Sequence, residues 1–173
     1  MELLLVRHAI AVPRRPGLPD PLRPLTPQGR QRFRRCVAGL ERLGVGLDGL
    51  YHSPWQRAVE TAVELADLGG EPTPSPLLAE DPGPALLALA AAHERVALVG
   101  HEPWMGEALA LCLGARYLPV AFKKGGVAWL RGRPEPGGLE LLAMLPPRVL
   151  VKLAWGDGGR ARRGEAGARN TGT

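Results

Sequence analysis

Leu3–Val6, Leu50-Tyr51 and Val96–Val99 are uninterrupted apolar stretches, each bounded by polar residues or glycine. Short runs without alternation read as strands buried on both faces, as in a parallel sheet. Between them the apolar positions change to helical spacing. Phe33, Cys36, Val37, Leu40 and Leu43 form one stripe, and Ala58, Thr61, Ala62 and Leu65 form another. Thr26-Pro27 predicts the start of the first helix, with Thr26 as N-cap and proline in the first position, and Gly44 predicts its end. Ser53-Pro54-Trp55-Gln56 predicts the start of the second, with Ser53 as N-cap and Gln56 completing a capping box. A further helix is expected from about Pro84 to His93. Pro103 opens another, whose apolar face carries Met105, Leu109, Cys112 and Leu113. Val127–Leu130 and Leu139–Leu145 predict two more strands across a Gly/Pro turn.

Residues 13–24, rich in proline and arginine, and residues 69–84, with five prolines, read as loops. The main order β-α-β-α-β-α-β-β predicts an α/β sandwich with a mostly parallel sheet. A chain of 173 residues is long enough for one substantial core. Gly156 to Thr173 has no large apolar side chain and reads as a disordered tail, which leaves residues 1–155 as the single domain. No run of about 18 apolar residues and no export signal is present, so a cytoplasmic protein without a membrane span is expected.

Charge refines this picture only slightly. The net charge is +5, with 19 arginines against three lysines, and four of the arginines lie in the tail. Such a balance favours acidic partners. No aromatic-interleaved basic stripe supports nucleic-acid binding. Arginines 30, 32, 34 and 35 fall on the early turns of the first helix, where the macrodipole disfavours cations. They face either solvent or an anionic partner. Cys36 and Cys112 lie in apolar helical patterns without metal-ligand spacing and read as packed thiols, so no metal site is expected from them.

The chemistry gathers at the strand ends. Arg7-His8-Ala9 follows the first strand, His52-Ser53-Pro54-Trp55-Gln56-Arg57 the second, and Gly100-His101-Glu102-Pro103 the third. Open α/β sheets bind ligands outside the carboxyl ends of their strands. Two histidines and two arginines should therefore converge on one sheet edge, and cations around an imidazole describe a phosphoryl site. A neutral imidazole is a good nucleophile near pH 7, and His8 is the candidate, with its other ring nitrogen donating to a backbone carbonyl. Arg7 and Arg57 would hold phosphoryl oxygens through forked donors. A protonated His101 would add a third cation. Ser53 and its helix start could add donors. Each assignment has a structural competitor: a packed strand-end histidine, a surface ion pair, or for Ser53 simply an N-cap. His52 and His93 read as incidental, and Trp55 and Trp104 as rim or packing residues. His8 and His101 as metal ligands would conflict with the adjacent arginines.

Taken together, Arg7-His8, Arg57 in Ser-Pro-x-x-Arg, and Gly100-His101 resemble the histidine phosphatase superfamily. The short length, Arg23-Pro24-Leu25-Thr26-Pro27-Gln28-Gly29 and Gly100-His101-Glu102-Pro103 resemble its compact SixA-like phosphohistidine phosphatase branch. The resemblance implies a three-layer α/β/α sandwich of the phosphoglycerate-mutase-like kind. It also implies a metal-independent, cofactor-free phosphatase working through phosphorylated His8, with signalling as its setting. Arg23 is expected to reach the phosphate from its loop. Glu80, in Leu78-Ala79-Glu80, resembles the position at which phosphoester-cleaving relatives place a general acid; Asp20 is the alternative, with Asp81 and Glu102 behind it. Only 44 residues separate Arg57 from His101, and the short spans imply an open, shallow site suited to phosphohistidine on a protein surface. The competing readings are a small-molecule phosphomonoesterase, more dependent on Glu80 or Asp20, and a non-catalytic phosphohistidine-binding regulatory module.

Overall fold

The structure is a computed structural model in which residues 1–155 are described. The expected tail, 156–173, lies outside them. In chain order the elements are β1 (Glu2–Arg7), α1 (Pro27–Arg42), β2 (Gly49–His52), α2 (Gln56–Leu65), β3 (Pro72–Pro74) and α3 (Ala85–Ala90). They are followed by β4 (Arg95–Gly100), α4 (Trp104–Cys112), β5 (Val127–Gly132), β6 (Leu139–Leu145) and α5 (Pro147–Trp155). The six strands form one sheet in the order β3-β2-β4-β1-β5-β6. β1, β2, β3 and β4 run parallel, while β5 and β6 are antiparallel to their neighbours.

The apolar runs are continuous because the central strands are covered on both sides. On β1, Leu4 and Val6 face a core completed by Phe33, Cys36 and Leu40 of α1, Ala58 and Leu65 of α2, and Leu150 of α5. Leu3 and Leu5 face the opposite core, with Leu86 of α3 and Met105 and Leu109 of α4. β4 splits the same way, Ala97 and Val99 against Val96 and Leu98. The result is three layers, α/β/α. Each fully buried aliphatic of these strands stabilises the sheet by roughly 1.5–3 kcal/mol, more than enough to decide the pairing of strands so short.

Two glycines set close approaches that matter for the site. A Cβ on Gly29 would lie 2.2 Å from the carbonyl oxygen of Ile10, so only glycine lets the segment after β1 rest on the first turn of α1. Thr26 caps that turn, its Oγ1 accepting from the Gly29 amide at 2.9 Å. A Cβ on Gly39 would likewise meet the Leu150 carbonyl at 2.2 Å, and its absence allows α5 to pack tightly across α1.

The structure departs from the sequence reading in four places. Pro72–Pro74, inside the proline-rich loop, is a strand on the sheet edge, pairing Leu50 with Pro72 and His52 with Pro74. Proline has no N–H to donate, and an edge strand is where that is tolerated. Residues 147–155, to which the pattern assigned no element, form α5. The second helix begins at Gln56 with Trp55 as its N-cap, and no side chain caps it, so Ser53 is not the N-cap. The helix expected over 84–93 is present but limited to Ala85–Ala90.

Candidate active site

The carboxyl ends of β1, β2 and β4 are bound to one another by backbone hydrogen bonds. The His8 amide donates to the Gly100 carbonyl at 3.0 Å and the Ser53 amide to the Val99 carbonyl at 2.9 Å. Three rigid strand ends thereby bring His8, Ser53 and His101 together, all buried. The His8 and His101 rings lie 5.1 Å apart between centroids.

The His8 tautomer follows from its partners. Nδ1 sits 2.6 Å from the Ala9 carbonyl oxygen, which can only accept, so Nδ1 carries the hydrogen. Nε2 then holds the lone pair and accepts from Nε of Arg57 at 3.1 Å. Burial, together with His101, Arg57 and Arg7 nearby, pushes the His8 pKa down to about 3. The imidazole is therefore neutral at physiological pH, with its basic nitrogen facing the arginines. The Ala9 amide is held in turn by Thr61 Oγ1 at 3.0 Å, and that hydroxyl donates to the Arg57 carbonyl at 2.6 Å. Thr61, assigned only to the apolar stripe, thus ties His8 to the helix that carries Arg57.

Arg57 is 3% exposed and fully engaged. Beyond His8, its Nη1 donates to the Asp20 carbonyl at 2.7 Å and its Nη2 to Asp20 Oδ2 at 3.1 Å. The guanidinium also stacks 4.5 Å from the Trp55 ring centroid. Asp20 receives two more arginines on Oδ1, Arg14 at 2.7 Å and Arg23 at 2.8 Å. Arg23 is buried and anchored by a second bond to the Val12 carbonyl at 2.7 Å. Hydrogen bonds from Arg14 and Arg23, and the charge of Arg57, hold the Asp20 carboxyl far below the ordinary carboxylate range despite partial burial. It is an anion at neutral pH and has no proton to give, which removes it as the general acid in this arrangement. It stands at the junction of three arginines.

His101 is held between Ser53, whose Oγ lies 2.8 Å from Nε2, and Trp55, 4.6 Å away between ring centroids. Its Nδ1 is buried and has no hydrogen-bond partner among the described residues. Burial and Arg57, with Arg23 and Arg7, push its pKa down to about 3. At that pKa His101 is neutral at physiological pH, so its role as a third cation depends on its gaining a proton. An arriving phosphoryl dianion would favour its protonation. Ser53 Oγ serves His101 and accepts from the Trp55 amide at 3.3 Å, so the structure places it beside the histidine.

Arg7 leaves the end of β1 on the other side. It donates from Nη1 to the Phe122 carbonyl, while its Nε is buried with no partner among the described residues. Glu102 is the opposing charge that acts on it; burial raises the Glu102 carboxyl above the ordinary value, against the pull of Arg7. Lys124, just before β5, has its ammonium lowered by partial burial first and then by the charges of Arg7, Arg23, Arg57 and Arg14. The sequence reading missed Lys124, and only the turn back from β5 brings it here. Glu80 follows the turn Pro76–Ala79, is exposed, and makes no hydrogen bond or ion pair to this cluster among the described residues. His52 donates from Nδ1 to the neighbouring Ser53 carbonyl, and His93 pairs with Tyr51 and Asp48 away from the site.

Among the described residues, no three His, Cys, Asp or Glu side chains are grouped as a cation site. Cys36 and Cys112 are free and buried, their thiols pushed up to about 11 and about 12.

With this geometry in hand, the likeness to known proteins is specific. Residues 3–85 match the histidine phosphatase superfamily (branch 1), a span that includes Arg7, His8, Arg23 and Arg57. The chain belongs to the histidine phosphatase superfamily. An uncharacterized protein of Picosynechococcus is 36% identical over 140 residues, covering 76% of this chain and 85% of that protein. The fold superposes on the protein histidine phosphatase SixA solved with tungstate, with a TM-score of 0.76 and 24% identity. The match covers 87% of this chain and 99% of that one. A phosphoserine phosphatase of Entamoeba histolytica, solved with 3-phosphoglyceric acid, gives a TM-score of 0.67 at 17% identity, over 86% and 98% of the two chains. The central sheet and flanking helices are those of the phosphoglycerate-mutase-like histidine phosphatase fold. The superfamily match supports phosphatase activity. Among the described residues no helix is long and apolar enough to cross a membrane.

Proposed function

We propose that the protein removes the phosphoryl group from protein phosphohistidine, without a metal, by way of a phosphorylated His8. The observation that carries this reading is the state of His8: buried, neutral, with Nδ1–H fixed on the Ala9 carbonyl and the Nε2 lone pair facing Arg57.

In the first step His8 Nε2 attacks phosphorus. A new N–P bond forms as the N–P bond of the substrate breaks, and the departing imidazole leaves neutral by carrying its own ring proton. In the second step water attacks the phosphoryl group on His8. Its N–P bond breaks, inorganic phosphate forms, and the electron pair returns to Nε2. The transferring group needs positive charge at its equatorial oxygens. Arg57 and Arg23 supply it once the phosphoryl oxygens replace the Asp20 carboxylate, and Arg7 and His101 Nδ1 complete the ring. This concentration of fixed cations does the work a metal would otherwise do.

Phosphohistidine is favoured over an ester because of the acids present. An alkoxide leaving group demands a proton from a general acid, whereas an imidazole does not. Where it stands among the arginines Asp20 is ionised, Glu80 makes no hydrogen bond or ion pair to the cluster among the described residues, and Glu102, its carboxyl raised by burial, acts on Arg7 and not on His8. The test is a matched assay on a phosphohistidine protein and a simple phosphomonoester, with chelator present. A clear preference for phosphohistidine is expected. A preference for the ester would move the substrate to small metabolites and make Glu80 the next residue to replace. Tight oxyanion binding without turnover of either would leave a binding module.

A further inference from the structure

A second cationic surface adjoins the site and shares Arg7 with it. Between α1, the segment 121–124 and the start of α5 lies a groove of about 760 Å³. Five cations line it: Arg7, Arg32, Lys123, Lys124 and Arg148. No carboxylate does, and none of the five is in an ion pair among the described residues. Arg32, Lys123, Lys124 and Arg148 are exposed. On the neighbouring face of α1, by contrast, Arg30 and Arg34 are paired with Glu60 and Glu64. The floor of the groove is apolar, with Met144, Pro146 and Pro147.

We propose that this groove receives an acidic segment of the phosphorylated protein, next to the phosphohistidine that enters the site. The inference rests on the protein-phosphohistidine reading and adds the charge that the substrate must carry. Arg7 belongs to both places, so a chain leaving the site on that side runs directly into the groove. The cations come from four separate segments of the fold, which suits carboxylates spaced along a peptide better than a single compact anion. The apolar floor accepts the side chains between them. Unpaired charges of one sign raise the encounter rate and the specificity for an oppositely charged partner.

The experiment compares two phosphohistidine peptides, one flanked by glutamates and one by glutamines, with free phosphohistidine as the small substrate. The variant is Arg32→Glu/Lys123→Glu/Arg148→Glu, which leaves the catalytic cluster untouched. Wild type should turn over the glutamate peptide with a kcat/KM about tenfold or more above the glutamine peptide, a difference that shrinks with added salt. The variant should lose that preference and keep its turnover of free phosphohistidine. Equal rates on the two peptides in wild type, or a preference that survives in the variant, would overturn the proposal. So would an equal loss on free phosphohistidine, which would make the groove part of the reaction site. Inorganic triphosphate bound by wild type and not by the variant, with no peptide preference, would assign the groove to a small anion instead. Wild type that hydrolyses a phosphoester and none of the three phosphohistidine substrates would refute the substrate reading, and the occupant with it.

Discussion

Two arginine–carboxylate networks fasten α2 to the rest of the molecule, and their difference marks the site. On the outer side, Arg30 and Arg34 of α1 meet Glu60 and Glu64 of α2, two cations with two anions. On the inner side, Arg14, Arg23 and Arg57 share the single carboxylate of Asp20, with Arg7 and Lys124 nearby and two neutral histidines among them. The outer network is neutral and closes on itself. The inner one carries excess positive charge, much of it buried, which is costly unless an anion completes it. The chemistry of the pairs is the same; the stoichiometry separates a structural clasp from a binding site.

The largest effect should come from the centre of the inner network. His8→Ala should lower phosphatase turnover by about a thousandfold or more, as loss of a nucleophile does, without changing the melting temperature greatly. Retained turnover would place the nucleophile elsewhere. Arg57→Ala should weaken tungstate or vanadate binding by roughly ten- to a hundredfold, the worth of charge-assisted contacts. Unchanged affinity would exclude it from the oxyanion site. Asp20→Asn should act in the opposite direction, raising oxyanion affinity a few fold, because an internal anion no longer competes for the arginines. A fall in affinity would mean that the carboxylate is needed to hold the arginines in place.

Acid should weaken the inner region through its histidines. His8 and His101 have pKa values near 3 in the folded chain, against about 6.5 for an ordinary imidazole. Between those values the unfolded chain binds more protons, so stability is full above about pH 6.5 and is lost as pH falls toward 3. Urea midpoints should follow that slope, and His8→Ala should flatten it. An unchanged slope in the variant would show that His8 does not contribute to it. At the bottom of the scale, Arg34→Ala in the outer network should leave oxyanion binding untouched and move the melting temperature little, since that side chain is 64% exposed.

The parts legible in the sequence are those whose cause is local. β1 and β4 are buried on both faces, so their apolar runs stand out, and Thr26 caps α1 through a contact three residues away. The residues at the strand ends converge because the parallel register brings Arg7 level with Gly100 and His52 with Val99. What was missed depends on distant partners. β3 exists only by pairing with β2, α5 only by closing on Gly39, and Ser53 leaves its capping role because His101 lies across the sheet end. Asp20 was considered as an acid, and only the fold shows it fastened to Arg57, 37 positions away, as an anion. Glu80 had a motif likeness and no partner that the fold supplies.

The most direct measurement is to quench the enzyme in alkali during turnover of a phosphohistidine protein and locate the phosphoryl group by mass spectrometry. The account predicts a phosphoryl group on the peptide containing His8, lost on brief acid treatment and absent in His8→Ala. Phosphate release at the normal rate with the label on another residue, or with no labelled His8 at any time, would contradict it.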